Sequence, residues 1–484
     1  MGGVQALLTL DVVPDSIWGD EDETIVYGQV LGKGRAVIFR FHLDDSPQSL
    51  PSRIVNYYHG NEESGPQCGF TDLDAMRSTV WSTIATVWAS CVDQPSIFEP
   101  GMVVDLVSDG GEGVTWSAYQ EPLFEQYLGL FRDIQPSDLM PQGAQPAPVV
   151  DISQVVILSA MGGKGCSKRV QVLIGQEGHT GDAGSADLLS TFAFKGVDFQ
   201  TYLQVHDDDD EFARATVAAW RQSSKLIASL PAHPRIQPPP KMLVSVRGAL
   251  IGHLSTFCPK GDLAAVIASA NSSGTTISLR QKAQWALQIS QAIAHTHNVM
   301  HTFHMDIKPG NFLVDDNDNL TLIDWEQSGA PATTLAPEAD GTWDVEEVDD
   351  VHSRSSQRAA GSKKLVYTKY GGPERRNMPE GSGLQPFHIW NVFPGWQASC
   401  PKATELAEVF ALGRTVWMLL TQTMDGFDEI GHPNDVQITW ENADSCPSSW
   451  IEMAMQCMDN DPNKRPLLVD VVEFWEAECL ILQR

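Results

Sequence analysis

Basic residues are scarce in this chain: 32 Lys and Arg stand against 62 Asp and Glu, giving a net charge of −30 and a pI near 4.6. No basic stripe interrupts that excess, which excludes nucleic acid and anionic membrane surfaces bound through phosphates as a partner class. Cysteines are few and scattered. None of the eight forms a Cys-x-x-Cys pair, so a disulfide framework and a thiolate zinc site are both disfavoured, and reduced thiols in the cytosol or nucleus are expected. The amino terminus has no basic stretch and only a brief apolar run, so neither a signal peptide nor a membrane anchor is expected there. Ala6 stands where a myristoylation signal carries Ser or Thr.

What is present fits a packed globular protein. The 484 residues suffice for two or three domains, and 42% are hydrophobic, with 14 Trp. The richest stretch runs from His301 to Gln327. Asp306 and Asn311 lie five apart across Pro309-Gly310, and Asp324 closes the apolar run Leu320-Thr321-Leu322-Ile323 after an Asp-Asn-Asp-Asn turn. Phosphoryl transfer requires oxygen ligands for Mg²⁺ and a carboxylate for the attacking hydroxyl, because its loose transition state is stabilised chiefly by positioning and charge. Asp306 suits the carboxylate, and Asn311 and Asp324 suit the ligands.

At these residues the chain resembles the protein kinases. Their catalytic loop His-Arg-Asp-Leu-x-x-x-x-Asn is matched by His304-Met305-Asp306-Ile307 through Asn311, and their Asp-Phe-Gly by Asp324-Trp325-Glu326. Lys308 takes the place that in Ser/Thr kinases contacts the transferred phosphate, which implies a Ser or Thr hydroxyl as acceptor. Ile323-Asp324-Trp325-Glu326 is also similar to small-molecule phosphotransferases related to kinases. The resemblance to protein kinases implies an α+β, two-lobed fold: a β-rich small lobe over 150–258 and a helical large lobe over 259–484. A separate α/β region of unreadable function, 1–149, precedes it and ends in a Pro-rich linker at 136–149.

Within 1–149, segments 25–30 and 35–41 read as a hairpin. Residues 72–91 read as a helix with Met76, Val80, Ile84, Val87 and Trp88 on one side. Gly32-Lys33-Gly34 reads as a tight turn, not a phosphate loop. Further on, strands near 152–158 and 170–174 flank Gly163 and Gly165. With Val170, these match the kinase glycine-rich loop, with Lys168 at the third glycine. Phe192-Ala193-Phe194-Lys195 resembles the strand whose lysine holds the α- and β-phosphates of ATP. The helix expected from the acidic run at 207–211 to Leu230 carries no acid where the family has the lysine's glutamate; Ser223 is the nearest match in register. Segments 242–247 and 249–257 read as strands, residues 255–259 as the adenine hinge, and 279–297 as a long buried helix.

The His295, His297, His301 and His304 group lacks a completing carboxylate or thiol at helical spacing, so a loop-bracing reading of His304 is preferred over zinc. Three later motifs favour the protein-kinase side. Gly372-Pro373-Glu374 resembles the Ala-Pro-Glu that closes an activation segment, Glu408 through Gly413 resembles Asp-x-Trp-x-x-Gly, and Asp461-Pro462 through Arg465-Pro466 resembles Asp-Pro-x-x-Arg-Pro. Arg465 is therefore expected to pair with Glu374. The intervening stretch is acidic over 338–350 and basic and Ser-rich over 354–369. Its halves could neutralise each other or fold over a substrate, or stay a solvated loop. Met305 replaces the arginine that answers activation-loop phosphate, so Ser355, Ser356 and Thr368 are expected to be dispensable for activity. The resemblance implies a Mg²⁺/ATP-dependent Ser/Thr protein kinase, with Asp306 and Lys308 catalytic. Gly163, Gly165, Val170 and Lys195 would hold the nucleotide, with Asn311 and Asp324 holding it through the metal.

Overall fold

The computed structural model describes residues 10–19, 21–30, 36–59, 68–92, 94–110, 113–145, 147–161, 167–173, 190–206, 210–327, 329–349, 363–372, 391–424, 430 and 432–483. The chain divides into two compact units. The first holds residues 1–220 and 239–257, and the second holds 221–238 and 258–484.

In the first unit a five-stranded sheet runs β1 (Leu10–Gly19), β2 (Glu23–Val30), β3 (Ala36–His42), β4 (Met102–Ser108) and β5 (Val114–Gln120), in that order across the sheet. The expected hairpin is β2–β3, and its loop Gly32-Lys33-Gly34 lies outside the described residues. Helices α1 (Leu50–His59) and α2 (Leu73–Cys91) make the crossover to β4, which pairs parallel to β3. The apolar repeat buries α2 as the sequence predicts: Met76, Val80, Ile84, Val87 and Trp88 face a core shared with Phe39 and Phe41, and Asp72 caps the helix through the Ala75 N–H. After α3 (Leu123–Gly129) comes a six-stranded sheet ordered β6-β10-β11-β9-β8-β7. Its strands are β6 (Val149–Asp151), β7 (Val155–Ala160), β8 (Ser167–Val172), β9 (Thr191–Gly196), β10 (Met242–Val246) and β11 (Ala249–Thr256). Residues 152–154 form a 3-10 turn, so β7 begins three residues later than the sequence suggests. Ile25, Tyr27, Ile38 and Phe124 join Val170, Val172, Phe194 and Leu254 in one core. Between β9 and β10 lie α4 (Phe199–His206) and α5 (Asp210–Ser229). Of these, α5 ends just before Pro231 as read, since proline cannot continue the hydrogen-bond ladder.

The second unit is mainly helical. Its elements are α6 (Leu263–Ser272), α7 (Leu279–Asn298), the hairpin β12 (Phe312–Val314) and β13 (Leu320–Leu322), the hairpin β14 (Trp343–Asp349) and β15 (Lys363–Lys369), α8 (Phe393–Ser399), α9 (Pro401–Thr421), α10 (Ser448–Cys457) and α11 (Leu468–Ile481). The axis of this unit is α9, buried almost all round, beside α7, which buries one broad face and leaves Arg280 exposed on the other. At Gly413 of α9 an added Cβ would stand 2.7 Å from the Cys457 Cβ, so the absent side chain lets α10 approach. The acidic strand β14 pairs antiparallel with the lysine-bearing β15. The two halves of the charged stretch therefore face each other, with Lys369 lying 3.9 Å from the Trp343 ring centre. Among the described residues no helix is long and apolar enough to cross a membrane.

Candidate active site

The loop between α7 and β12 is built from below. Glu408, fully buried in α9, accepts hydrogen bonds from the His304 N–H at 2.7 Å, from the Met305 N–H, and from His297 Nε2 at 2.6 Å. Burial alone would raise the Glu408 carboxyl pKa. The hydrogen bond and charge of His297, the Met305 N–H and His304 overcome it and hold the group below its ordinary value. That carboxylate fixes backbone that would otherwise relax, since Met305 sits at φ +77°, where an L side chain is strained. His304 then reaches across to the Ile323 carbonyl at 2.7 Å and meets the Trp325 ring edge-on at 4.7 Å. His297 and His304 thus brace the loop, while His295 stacks on His233 at 4.3 Å.

Above this floor Asp306, Lys308 and Asn311 come together. Lys308 Nζ donates to Asp306 Oδ2 at 2.6 Å, and Asn311 Nδ2 donates to the same oxygen at 2.9 Å and to the Asp306 carbonyl at 2.7 Å. Asp306 Oδ1 is buried with no hydrogen-bond partner among the described residues. One carboxylate oxygen is therefore clamped and the other is an unused acceptor. Because both Nδ2 bonds of Asn311 go to Asp306, its amide oxygen remains for a hard cation. Asp324 follows β13 at φ +70°. The Ile323 N–H bonds to the Asn311 carbonyl at 2.9 Å, so the strand ending and the loop are stitched side by side. A carboxylate and an amide oxygen on adjoining backbone fit Mg²⁺, which takes oxygen ligands and keeps several waters.

The other expected site residues belong to the first unit. Gly163 and Gly165 lie outside the described residues. Val170 is fully buried on β8, and Lys195 sits on β9 directly opposite His253 of β11. Lys168 is no loop residue. It is an inward strand position bonded to the buried Asp198 carboxylate, with Thr201 Oγ1 at 3.3 Å. His253 is 1% exposed, its ring stacked on Trp220 at 6.4 Å. Burial, then the positive Lys195, push its pKa down from 6.5 to about 3. Between those values the unfolded chain binds a proton there that the folded chain refuses, so stability falls as pH drops through that window. At pH 5 the cost is about 2 kcal/mol by this linkage. Denaturant unfolding at pH 7 and pH 5 is expected to show it in wild type and to lose it in His253→Leu.

The expected Glu374–Arg465 pairing is also corrected. Arg465 pairs with Glu338, donating Nη1 to Oε1 at 2.5 Å and Nη2 to Oε2 at 2.9 Å, so Ala336-Pro337-Glu338 closes the segment after Asp324. Pro373 and Glu374 lie outside the described residues. The segment is consequently short, and Trp325, Ala330, Thr333, Thr334, Leu335 and Ala336 are all buried in it. Ser355, Ser356 and Thr368 fall after its closing glutamate; the two serines lie outside the described residues, and Thr368 is on β15 opposite Asp344. Residues 250–338, from β11 to that glutamate, match the family model of the protein kinase domain. No curated protein matches the chain.

Proposed function

Proceeding from the match of residues 250–338 to the protein kinase domain family model, we propose that the chain is a divergent eukaryotic-type, Mg²⁺/ATP-dependent kinase that phosphorylates Ser or Thr hydroxyls of proteins. The observation that carries this reading is the Asp306 carboxylate, with Oδ2 held by Lys308 and Asn311 and Oδ1 buried and unused. In this reading Oδ1 accepts the hydroxyl proton and Lys308 neutralises phosphate oxygens. Asn311 and Asp324 hold Mg²⁺, which supplies charge neutralisation at the phosphates. Lys195, Val170 and the loop holding Gly163 and Gly165 hold the nucleotide. The protein kinase reading is favoured over a small-molecule phosphotransferase by the Glu338–Arg465 pair, the family's own closing contact.

A second reading, a nucleotide-binding pseudokinase acting as a scaffold, draws on α5, which has no acid beyond Glu211. Labelled ATP separates the two. Transfer to the protein itself or to a protein substrate by wild type, abolished in Asp324→Ala, supports the kinase. Mg²⁺-dependent thermal stabilisation by ATP without any transfer selects the scaffold, and turnover stimulated only by a metabolite selects the small-molecule enzyme.

A further inference from the structure

We propose that a cavity in the second unit, lined by none of the residues of the Asp306 loop, binds a small oxyanion-headed molecule and stiffens the strand that leads to Asp324. The cavity measures about 380 Å³ and is lined by Arg235, Arg280, Leu287, Gln288, Cys479 and Leu482 with three more glutamines. That volume lies in the range of small-ligand sites, roughly 300–1,000 Å³. In a chain where acids outnumber bases 62 to 32, two guanidiniums facing one cavity are conspicuous. Neither makes an ion pair among the described residues.

Arg235 Nε is buried with no partner among the described residues, and burial, only partly opposed by Asp315, lowers the arginine's pKa. The Asp315 carboxylate is already engaged by the N–H groups of Asn317 and Asn319 and by the Asn319 side chain. A guanidinium fork, here with Arg235 Nε already out of water, matches phosphate or carboxylate through paired hydrogen bonds. Glutamine amides extend the donor set, and Leu287 and Leu482 suit a short apolar body.

The lining also holds β13. The Leu322 N–H donates to the Arg235 carbonyl at 2.9 Å, and the Leu322 carbonyl accepts from Gln237 at 3.0 Å. Gln288 Oε1 accepts from the Leu320 N–H at 2.7 Å, and Gln288 Nε2 donates to Asn319 Oδ1 at 3.0 Å. An anion that orders Arg235 and Gln288 therefore acts on the backbone immediately before Asp324, a direct physical link of the kind coupling requires.

The test needs no nucleotide and runs equally on Asp306→Asn, so it is independent of the proposed transfer reaction. Alkylation of Cys479 in the full chain is followed by mass spectrometry in inorganic phosphate, in citrate, and in chloride at matched ionic strength. Phosphate or citrate is expected to slow the reaction, whichever head group fits best. Arg280→Gln, an exposed position with little folding risk, and Arg235→Gln are expected to weaken that protection about tenfold, as loss of a charge-assisted hydrogen bond does. Amide exchange at Leu320 and Leu322 is expected to slow with the protecting anion. Equal alkylation in all three salts, or protection that survives Arg280→Gln, overturns the site; protection without slower exchange overturns the coupling.

Discussion

Asp306→Asn is expected to lower turnover on the order of 10²–10⁴-fold, the share a positioned base contributes, while leaving the fold unchanged. The substitution is nearly isosteric, and its amide oxygen can still accept the bonds that Lys308 and Asn311 give to Asp306 Oδ2. Its amide nitrogen then lies where Oδ1 has no partner among the described residues. Basicity is lost, and with it the charge that pairs with Lys308. Because the carboxylate is assigned to the reacting hydroxyl and not to the nucleotide, kcat should fall with little change in KM for ATP, the pattern of an interaction made in the transition state. Labelled-ATP turnover and thermal denaturation measured side by side check both halves. Unchanged turnover removes Asp306 from the chemistry, and a lowered melting temperature shifts its role to structure.

The grouping of Asp306, Lys308 and Asn311 is legible in the sequence because it depends on short spacings. The five-residue step from Asp306 to Asn311 and the apolar tetrad before Asp324 dictate a tight turn and a strand whatever surrounds them. Glu408 is legible through the resemblance of Glu408 to Gly413 to Asp-x-Trp-x-x-Gly, and Met305, His304 and His297 are the partners that its buried carboxylate meets. The 72–91 helix is readable from period alone.

What the sequence hides are the pairings between distant segments. Gly372-Pro373-Glu374 and Ala336-Pro337-Glu338 offer the same local chemistry, and only proximity to Arg465 separates them; the literal Ala-Pro-Glu was the available signal. Lys168 occupies a glycine position in the loop pattern but is inward on β8 beside Val170 and Val172, and its partner Asp198 lies 30 residues on. Composition leaves the β14–β15 stretch open between halves that neutralise each other, a flap over a substrate and a solvated loop, since the connection is far longer than a turn. It is held by Asn463, whose side-chain amide pairs with the Leu365 N–H at 2.8 Å and carbonyl at 3.1 Å, as a neighbouring strand would. The parallel β3–β4 contact, reached through two helices, is equally invisible to local pattern.

Arg465→Ala is expected to destabilise the second unit by about 3–5 kcal/mol, the cost of breaking a buried ion pair from one side. The side chain is wholly buried and meets three groups besides Glu338: the Leu406 carbonyl at 2.9 Å, the Asp459 carbonyl at 2.8 Å and the Phe410 ring at 4.9 Å. Truncation strands a carboxylate in the interior and leaves both carbonyls without their donor. Arg465→Lys keeps the charge but not the fork, so it should lie between wild type and alanine. Glu338→Gln should cost less than Arg465→Ala because an amide can still accept from the guanidinium. In the Glu338→Leu, Arg465→Met double variant, apolar packing replaces the pair, and much of the loss should be recovered, since such replacements are often neutral. Denaturant midpoints for the set, analysed as a double-mutant cycle, measure the coupling. If Arg465→Ala costs no more than the roughly 1 kcal/mol of an exposed ion pair, the contact that closes the segment after Asp324 is not formed. The case for a protein kinase over a small-molecule phosphotransferase then loses its strongest structural support.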